Sequence, residues 1–382
     1  MPSAVAASGS LVLVQGDDEF AVRERARQIH HRWCEELGGM DHEIIDAQVG
    51  NSDEALRALN RLREALNTLP FLGRGKAVWL KDCTFLGDER TAASQAVTES
   101  LAELADDLKR FDWANVRLLI SAGKVDKRRT FFKTIEKLGT IETFAAWSAE
   151  DDKWVPEAET WVRRALQSRG QQISEEALGE LIAAVGPSRE QLAQEVEKVS
   201  LHAGTRKAIT LDDVQAVVTR HKQARAFALA EAVAERNLPK VLRTLDEELW
   251  SMQFDKKKSG IGLLYGLIAK VRSLILLKEM IEEGWLRPER DYNRFKTQLE
   301  RVPREKLPQD KRFNPLAGHP FVVFKSLAHV ANYSREELVR AMSLLLDCNR
   351  RLVSSALDES LVLQQTLVKI VGRQASPGAE RR

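Results

Sequence analysis

The sequence is poor in the residues that mark secreted, metal-binding or membrane proteins. Its three cysteines, Cys34, Cys83 and Cys348, are widely spaced and form no C-x-x-C pair. They therefore predict reduced, mostly buried thiols of a cytosolic protein. No apolar run approaches the roughly eighteen residues that a membrane-spanning helix needs, and residues 1–10 lack the basic region and apolar core of a signal peptide. We therefore expect neither a signal peptide nor a membrane span.

Sequence motifs of enzymes and metal sites are also missing. The seven histidines include no H-E-x-x-H and no cluster at zinc spacing, and no G-x-S-x-G elbow is present. We therefore predict no catalytic residues, no metal and no cofactor. The formal net charge is only +2, which argues against a protein that coats nucleic acid over its whole surface but allows local basic patches.

Strand and helix patterns alternate over residues 1–147. Helical patterns separate five short apolar runs that predict strands, at 11–16, 42–47, 76–82, 115–121 and 140–146. This alternation predicts a parallel sheet covered by helices on both faces, which is the core of a nucleotide-binding α/β domain. Because a fold does not establish its ligand, nucleotide binding has to be judged from the residues themselves.

The pattern becomes wholly helical after Trp147. Three short helices between residues 154 and 221 predict a small lid domain over 148–222. Longer helices then predict an all-α domain over 223–373, and the polar residues 374–382 predict a disordered tail.

The first strand leads into a helix as in a phosphate-binding loop, but the chemistry of that loop is missing. Gly16 is followed by Asp17, Asp18 and Glu19, and the lysine and hydroxyl group of G-x-x-x-x-G-K-[ST] do not follow it at the required offset. Carboxylates stabilise a helix N-terminus but repel a triphosphate. After the third strand Asp82 stands alone instead of in a pair of acids, and we interpret it as an ordinary strand-end residue. We therefore do not expect autonomous NTP hydrolysis.

An apolar loop lies between the second predicted helix and the third strand. In "TLPFLGRGK", the residues Leu69, Pro70, Phe71 and Leu72 are consecutive and apolar where a loop is normally polar. They predict either a plug folded back on its own sheet or an exposed anchor for a pocket in another protein. The pattern alone leaves both interpretations open.

Basic residues cluster just after the fourth strand. They are Lys124, Lys127, Arg128 and Arg129. A solvated helix face explains them, and so does contact with the phosphates of DNA, which is indifferent to sequence. Both interpretations remain open here.

Several segments, taken in their order, resemble the delta-subunit family of the bacterial DNA polymerase III clamp loader. They include "LVLVQGDDEFAVRE", "LPFLGRGKAVWLKDC", "VDKRRTFFKTIEKLGTIETF", "ISEEALGELIAAVGPSREQLAQEVEKVSLHAG", "RAFALAEAVAERN" and "NPLAGHPFVVFKSLAHVANYSREELVRAMSLLLDCNRRLV". Each motif is weak by itself, and their order over residues 10–372 makes the resemblance specific.

The resemblance implies an AAA+-like first domain without an ATP site, a lid domain and a C-terminal collar domain. It implies that Leu69, Pro70, Phe71 and Leu72 bind the β sliding clamp and favour its opening. It also implies that the collar assembles with the ATPase (tau/gamma) and delta-prime subunits around primer–template DNA. The chain would then be an accessory subunit of a DNA polymerase, in the bacterial cytoplasm and at the nucleoid during replication.

Two other functions remain open from the residues alone. The chain could be an NTPase with an unorthodox P-loop-like site, or a free-standing DNA-binding protein that acts through its basic patches. Micromolar nucleotide binding would favour the first, and tight DNA binding without partners would favour the second. Neither accounts for the apolar loop.

Overall fold

The structure is a computed structural model that describes the chain with short gaps. The described residues are 9–70, 74–87, 90–148, 151, 153–218, 222–254, 259–310, 313–317, 320–354 and 357–372. Phe71, Leu72 and the predicted tail, 374–382, lie outside them. The chain divides into two compact units, Met1–Trp147 and Ser148–Arg382.

The first unit alternates strands with helices. Its elements are β1 (Leu11–Gln15), α1 (Glu19–Leu37), β2 (Glu43–Asp46), α2 (Ser52–Asn67), β3 (Lys76–Cys83), α3 (Gln95–Arg110), β4 (Val116–Ala122), α4 (Thr130–Leu138) and β5 (Thr140–Thr143). The strands form one five-stranded parallel sheet in the order β2-β3-β4-β1-β5. The predicted α/β fold class of this region is confirmed.

The central strands of the sheet are buried on both faces. Along β1, Leu11 and Leu13 belong to one apolar core, whereas Val12 and Val14 belong to a second core that contains α1. Successive side chains of a strand point to opposite faces, so these residues of β1 meet a helical layer on each side. This two-sided burial explains why β1, β3 and β4 are rich in consecutive apolar residues, whereas the edge strands β2 and β5 are partly exposed.

The second unit is almost entirely helical. Its elements are α5 (Trp154–Gln167), β6 (Gln172–Ile173), α6 (Glu175–Val185), α7 (Arg189–Ala203), β7 (Ala208–Ile209), α8 (Leu211–Val217), α9 (Lys222–Ala234), α10 (Leu238–Met252), α11 (Gly260–Glu282), α12 (Tyr292–Leu299), α13 (Pro320–His329), α14 (Arg335–Ser354) and α15 (Glu359–Val371).

The region before residue 222 contains more structure than the three predicted helices. α5 is a further helix, in which Ala158, Val162 and Leu166 are buried at intervals of four residues. β6 and β7 pair in parallel. Strands of two residues each are too short to produce an alternating apolar pattern, so the sequence gives no signal for them.

Helices α6 and α13 approach each other closely. A Cβ atom on Gly179 would lie 2.8 Å from Cβ of Phe321, so only glycine fits there without a shift. Beside this contact, Nζ of Lys325 lies 3.1 Å from Oε2 of Glu180. The regions predicted as a lid and an all-α domain therefore share a packed interface within the second unit.

Helix α11 is long and apolar enough to cross a membrane by length and composition. In the structure, however, Leu264, Leu267 and Leu274 are buried in the core of the second unit. Its Lys270 is also buried and lies 2.5 Å from a carboxylate oxygen of Glu231. These contacts are those of a core helix, and a core helix can have the same length and composition as a membrane span.

Candidate functional site

A crevice of about 340 Å³ opens at the carboxyl ends of β1, β3 and β4. Ligands of open parallel sheets bind at this edge. Its lining includes the acidic Asp17, Glu19 and Asp82 and the basic Arg23 and Lys124, so it has no excess of the positive charge that a nucleotide would need. Within the described ranges, no group of three or more His, Cys, Asp or Glu side chains could hold a metal ion.

Backbone hydrogen bonds hold the turn between β1 and α1 to the segments that follow β4 and β5. Gly16 N donates a hydrogen bond to Gly123 O at 3.2 Å, and Asp18 N donates to Phe144 O at 3.2 Å. Gly16 has a φ of 145°, and a Cβ atom there would lie 1.9 Å from Phe144 O. The turn is thus closed against the exit of β5, and only glycine fits at its start.

The N-terminus of α1 is capped by its own sequence. The buried carboxylate of Asp18 accepts a hydrogen bond from Ala21 N at 2.9 Å. Asp17 and Glu19 lie exposed at the same end of the helix. One of the backbone donors that would bind a phosphate is therefore occupied, and two further carboxylates repel the anion.

Asp82 departs from the expectation of an ordinary strand end. It has a φ of 51°, and the pairing of β3 with β4 shifts register between Leu80 and Cys83. Its backbone N donates to Oγ of Ser121 at 2.9 Å. The end of β3 is thus bulged, and aspartate is one of the few residue types that tolerate this left-handed conformation.

The apolar loop leaves the opposite, amino-terminal edge of the sheet. It begins after α2 and ends before β3. Leu69 is 80% exposed, and Pro70 is half-buried. An exposed Leu69 favours the anchor interpretation over a plug. Phe71 and Leu72 lie outside the described residues, so their placement stays a prediction.

A buried lysine joins the two ends of this loop. Lys76, only 1% exposed, is the first residue of β3. Its Nζ atom lies 2.6 Å from Oε1 of Glu43 on β2 and 2.9 Å from the carbonyl oxygen of Ala65 in the last turn of α2. The sequence places Lys76 only at the start of a strand, and neither partner could be identified from the sequence pattern.

The residues just before Lys76 are fixed as well. Arg74 N donates a hydrogen bond to Leu37 O at 2.8 Å. At Gly75 a Cβ atom would lie 2.7 Å from Asn115 O, so the backbone passes directly against the start of β4. Backbone contacts therefore fix the end of the loop that leads into β3.

A groove of about 490 Å³ lies beside the loop, between α2 and α3. Its lining combines apolar side chains such as Leu69 and Phe111 with charged ones such as Arg63, Asp107 and Arg110. The exposed leucine therefore stands beside a groove of mixed polarity at this edge of the sheet.

The basic residues after β4 do not form a uniform cationic patch. Nε of Arg128 donates to Oδ1 of Asp126 at 2.9 Å, and Nη1 of Arg129 donates to a backbone carbonyl oxygen at 2.7 Å. Hydrogen bonding from Arg128 lowers the pKa of Asp126 to about 2, so this carboxylate is ionised at neutral pH. Lys124 and Lys127 are exposed, and neither forms an ion pair within the described part of the chain.

Comparisons with known proteins agree with the resemblance found in the sequence. Residues 13–144 match the family model of the DNA polymerase III delta subunit. DNA polymerase III subunit delta of Bacillus subtilis strain 168 is 20% identical over 335 residues, which cover 87% of this chain and 86% of that protein.

Two solved structures are similar at a greater distance. The Bacillus subtilis DNA clamp loader delta protein has a TM-score of 0.44 and 17% identity, and the match covers 96% of each chain. The Thermotoga maritima RuvB Holliday junction branch migration motor has a TM-score of 0.35 and 12% identity, with 59% of this chain and 68% of that chain covered.

Proposed function

We propose that this chain, of the DNA polymerase III delta-subunit family, binds the β sliding clamp and opens it so that the clamp can be loaded onto primed DNA. The observation that carries the proposal is the 80% exposure of Leu69 in an apolar loop. A leucine exposed to this extent is an anchor available to another protein. The test is direct binding between the purified chain and the clamp of the same organism.

The anchored ends of the loop suit this role. Lys76 fixes the end of α2, and Gly75 holds the returning backbone against β4. A loop that is held at both ends loses less conformational freedom on binding, so more of the contact energy appears as affinity. The side chains Leu69, Pro70, Phe71 and Leu72 are the proposed clamp-binding residues.

We further propose that the chain hydrolyses no nucleotide by itself and acts as an accessory polymerase subunit in the cytoplasm. In this proposal the ATPase (tau/gamma) subunits supply hydrolysis, and residues 223–373 assemble beside them and delta-prime. The capped α1 and the closed turn at Gly16 support it, because Asp18 occupies one of the amides that would bind a phosphate and the turn packs against Phe144 O.

Titration of the isolated chain with Mg·ATP is expected to show no binding up to about 1 mM nucleotide. The carboxylates of Asp17 and Glu19 repel the anion, and Asp18 occupies the amide of Ala21. Calorimetry measures this, and an ATPase subunit with an intact phosphate-binding loop is the positive control. Micromolar binding would instead support the unorthodox NTPase.

Primer–template DNA is the remaining proposed partner, through Lys124, Lys127, Arg128 and Arg129. Substituting Lys124 and Lys127 by alanine is expected to flatten the log–log salt dependence of duplex binding by the assembled loader, by about 0.9 for each lost phosphate contact. Clamp binding by the isolated chain should not change, because the cluster follows β4 at the opposite edge of the sheet from the loop.

The matched control for this prediction removes the same charge from Arg128 and Arg129. Their side chains already bond to Asp126 and to a backbone carbonyl oxygen, so a smaller change in slope is expected. Equal flattening in both double variants would assign all four residues to DNA. An unchanged slope in both would leave the cluster as surface charge.

A further inference from the structure

We propose that Lys76 is a positioning residue for clamp binding: it acts from inside the protein, without touching the clamp, by holding the base of the loop between α2 and β3. This inference rests on the proposed function and assigns a role to a side chain that is 1% exposed. The ammonium group and its two acceptors, Glu43 and Ala65, form the feature that we call the loop clasp.

The clasp acts on the end of α2 directly. The last four carbonyl groups of a helix have no partner within it, and Ala65 contributes one of them. Nζ of Lys76 donates to that oxygen at 2.9 Å, across a separation of eleven residues. A positive charge also interacts favourably with the C-terminal end of a helix dipole. The lysine thereby closes the loop into a ring at its base.

Stability alone does not account for a lysine at this position. Removing an ammonium group from water is costly, and an apolar residue of similar size often serves a protein interior equally well or better. Here the charge has one carboxylate partner, Glu43, whose side chain is 45% exposed, whereas that of Lys76 is 2% exposed. What the lysine provides beyond burial is a directed bond to the end of α2.

Other contacts hold each end of the loop separately. On the α2 side, Thr68 N donates to Glu64 O at 3.0 Å, and Leu66 is buried in the core. On the β3 side, Arg74 N donates to Leu37 O at 2.8 Å. None of these bonds joins α2 to β3, so loss of the ammonium group should loosen the two ends of the loop relative to each other while α2 and β3 stay in place.

Lys76→Met tests the inference in the full-length chain. We expect its affinity for the clamp to fall by about tenfold, because the freed loop has to be ordered on binding. Hydrogen exchange should also become faster at the amides of residues 66–69. The reference is a synthetic peptide of residues 67–75, which has the anchors but no clasp, and the affinity of the variant should move toward that of the peptide.

Arg25→Met is the matched control. Arg25 forms a two-fold hydrogen bond with Glu142, at 2.6 and 2.8 Å, between α1 and β5 of the same unit. Its loss should lower the unfolding midpoint and leave clamp affinity and loop exchange unchanged. A purely structural role for Lys76 would instead make the two variants alike in all three measurements.

Glu43→Gln keeps the inference testable if Lys76→Met does not fold. The amide retains an acceptor for Lys76 but removes the charge that holds the ammonium group in place, so a smaller loss of affinity and faster loop exchange are expected. Wild-type affinity and exchange in whichever variant folds would overturn the inference. The proposed function would survive that result if substitution of Phe71 and Leu72 still abolished binding, and would fall with the inference only if it did not.

Discussion

Replacing Phe71 and Leu72 together by alanine is expected to weaken binding of the β sliding clamp by at least about a hundredfold. Burying an aromatic and a leucine side chain contributes about 3–6 kcal/mol before ordering costs, and truncation to alanine removes most of that contribution. The unfolding midpoint should not change, because the neighbouring Leu69 is 80% exposed and contributes little to the core. Calorimetry against the clamp and a thermal melt measure the two quantities.

The control for this prediction removes exposed apolar groups elsewhere. Met40 is 85% exposed and Leu201 is 74% exposed, so their double alanine variant loses a similar apolar area outside the loop. It should bind the clamp as the unmodified chain does. Undiminished affinity in the loop variant, or an equal loss in the control, would place the anchor elsewhere.

A fragment of residues 1–147 is expected to bind the clamp with nearly full affinity and to be absent from the assembled loader. The loop, Lys76 and both apolar cores of the sheet lie in this compact unit. The proposed assembly domain, 223–373, does not. Calorimetry measures the first property, and co-elution with the ATPase and delta-prime subunits in size-exclusion chromatography measures the second.

The residue at which the fragment ends determines whether failed assembly can be distinguished from aggregation. A fragment ending at residue 222 would lose α13 and expose the face of α6 where Gly179 packs against Phe321. Newly exposed apolar surface promotes aggregation, which would be mistaken for failed assembly. The complementary fragment 148–382 keeps that interface and should co-elute. Co-elution of 1–147 would show that assembly does not depend on the helical unit.

The central strands of the sheet could be located from the sequence because their burial is two-sided. Leu11 to Val14 are all buried, and the short length of such a run, with helical patterns after it, favours a strand. The bulge at Asp82 could not be located, because register depends on the partner strand β4. The pairing of β6 with β7 could not be predicted either, because it joins residues 172–173 to residues 208–209, which are far apart in the sequence.

In the candidate site, too, local features could be predicted from the sequence and long-range contacts could not. The carboxylates after Gly16 and the apolar run at Leu69 are local features, and their chemistry is visible in the residues themselves. The clasp is not local: Lys76 meets a glutamate 33 residues away on another strand. The bond from Arg128 to Asp126, by contrast, is local and offsets part of the charge of the basic cluster.

The closed turn before α1 has an evolutionary consequence. A phosphate-binding loop separates its first glycine from its lysine by five residues, whereas α1 begins three residues after Gly16. Acquiring such a loop would take an insertion, the loss of the cap at Asp18 and a new path past Phe144 O, where no side chain fits. Each change alone disrupts existing contacts and confers no nucleotide binding. Acquisition of a phosphate-binding loop by single mutations therefore has no selectable first step.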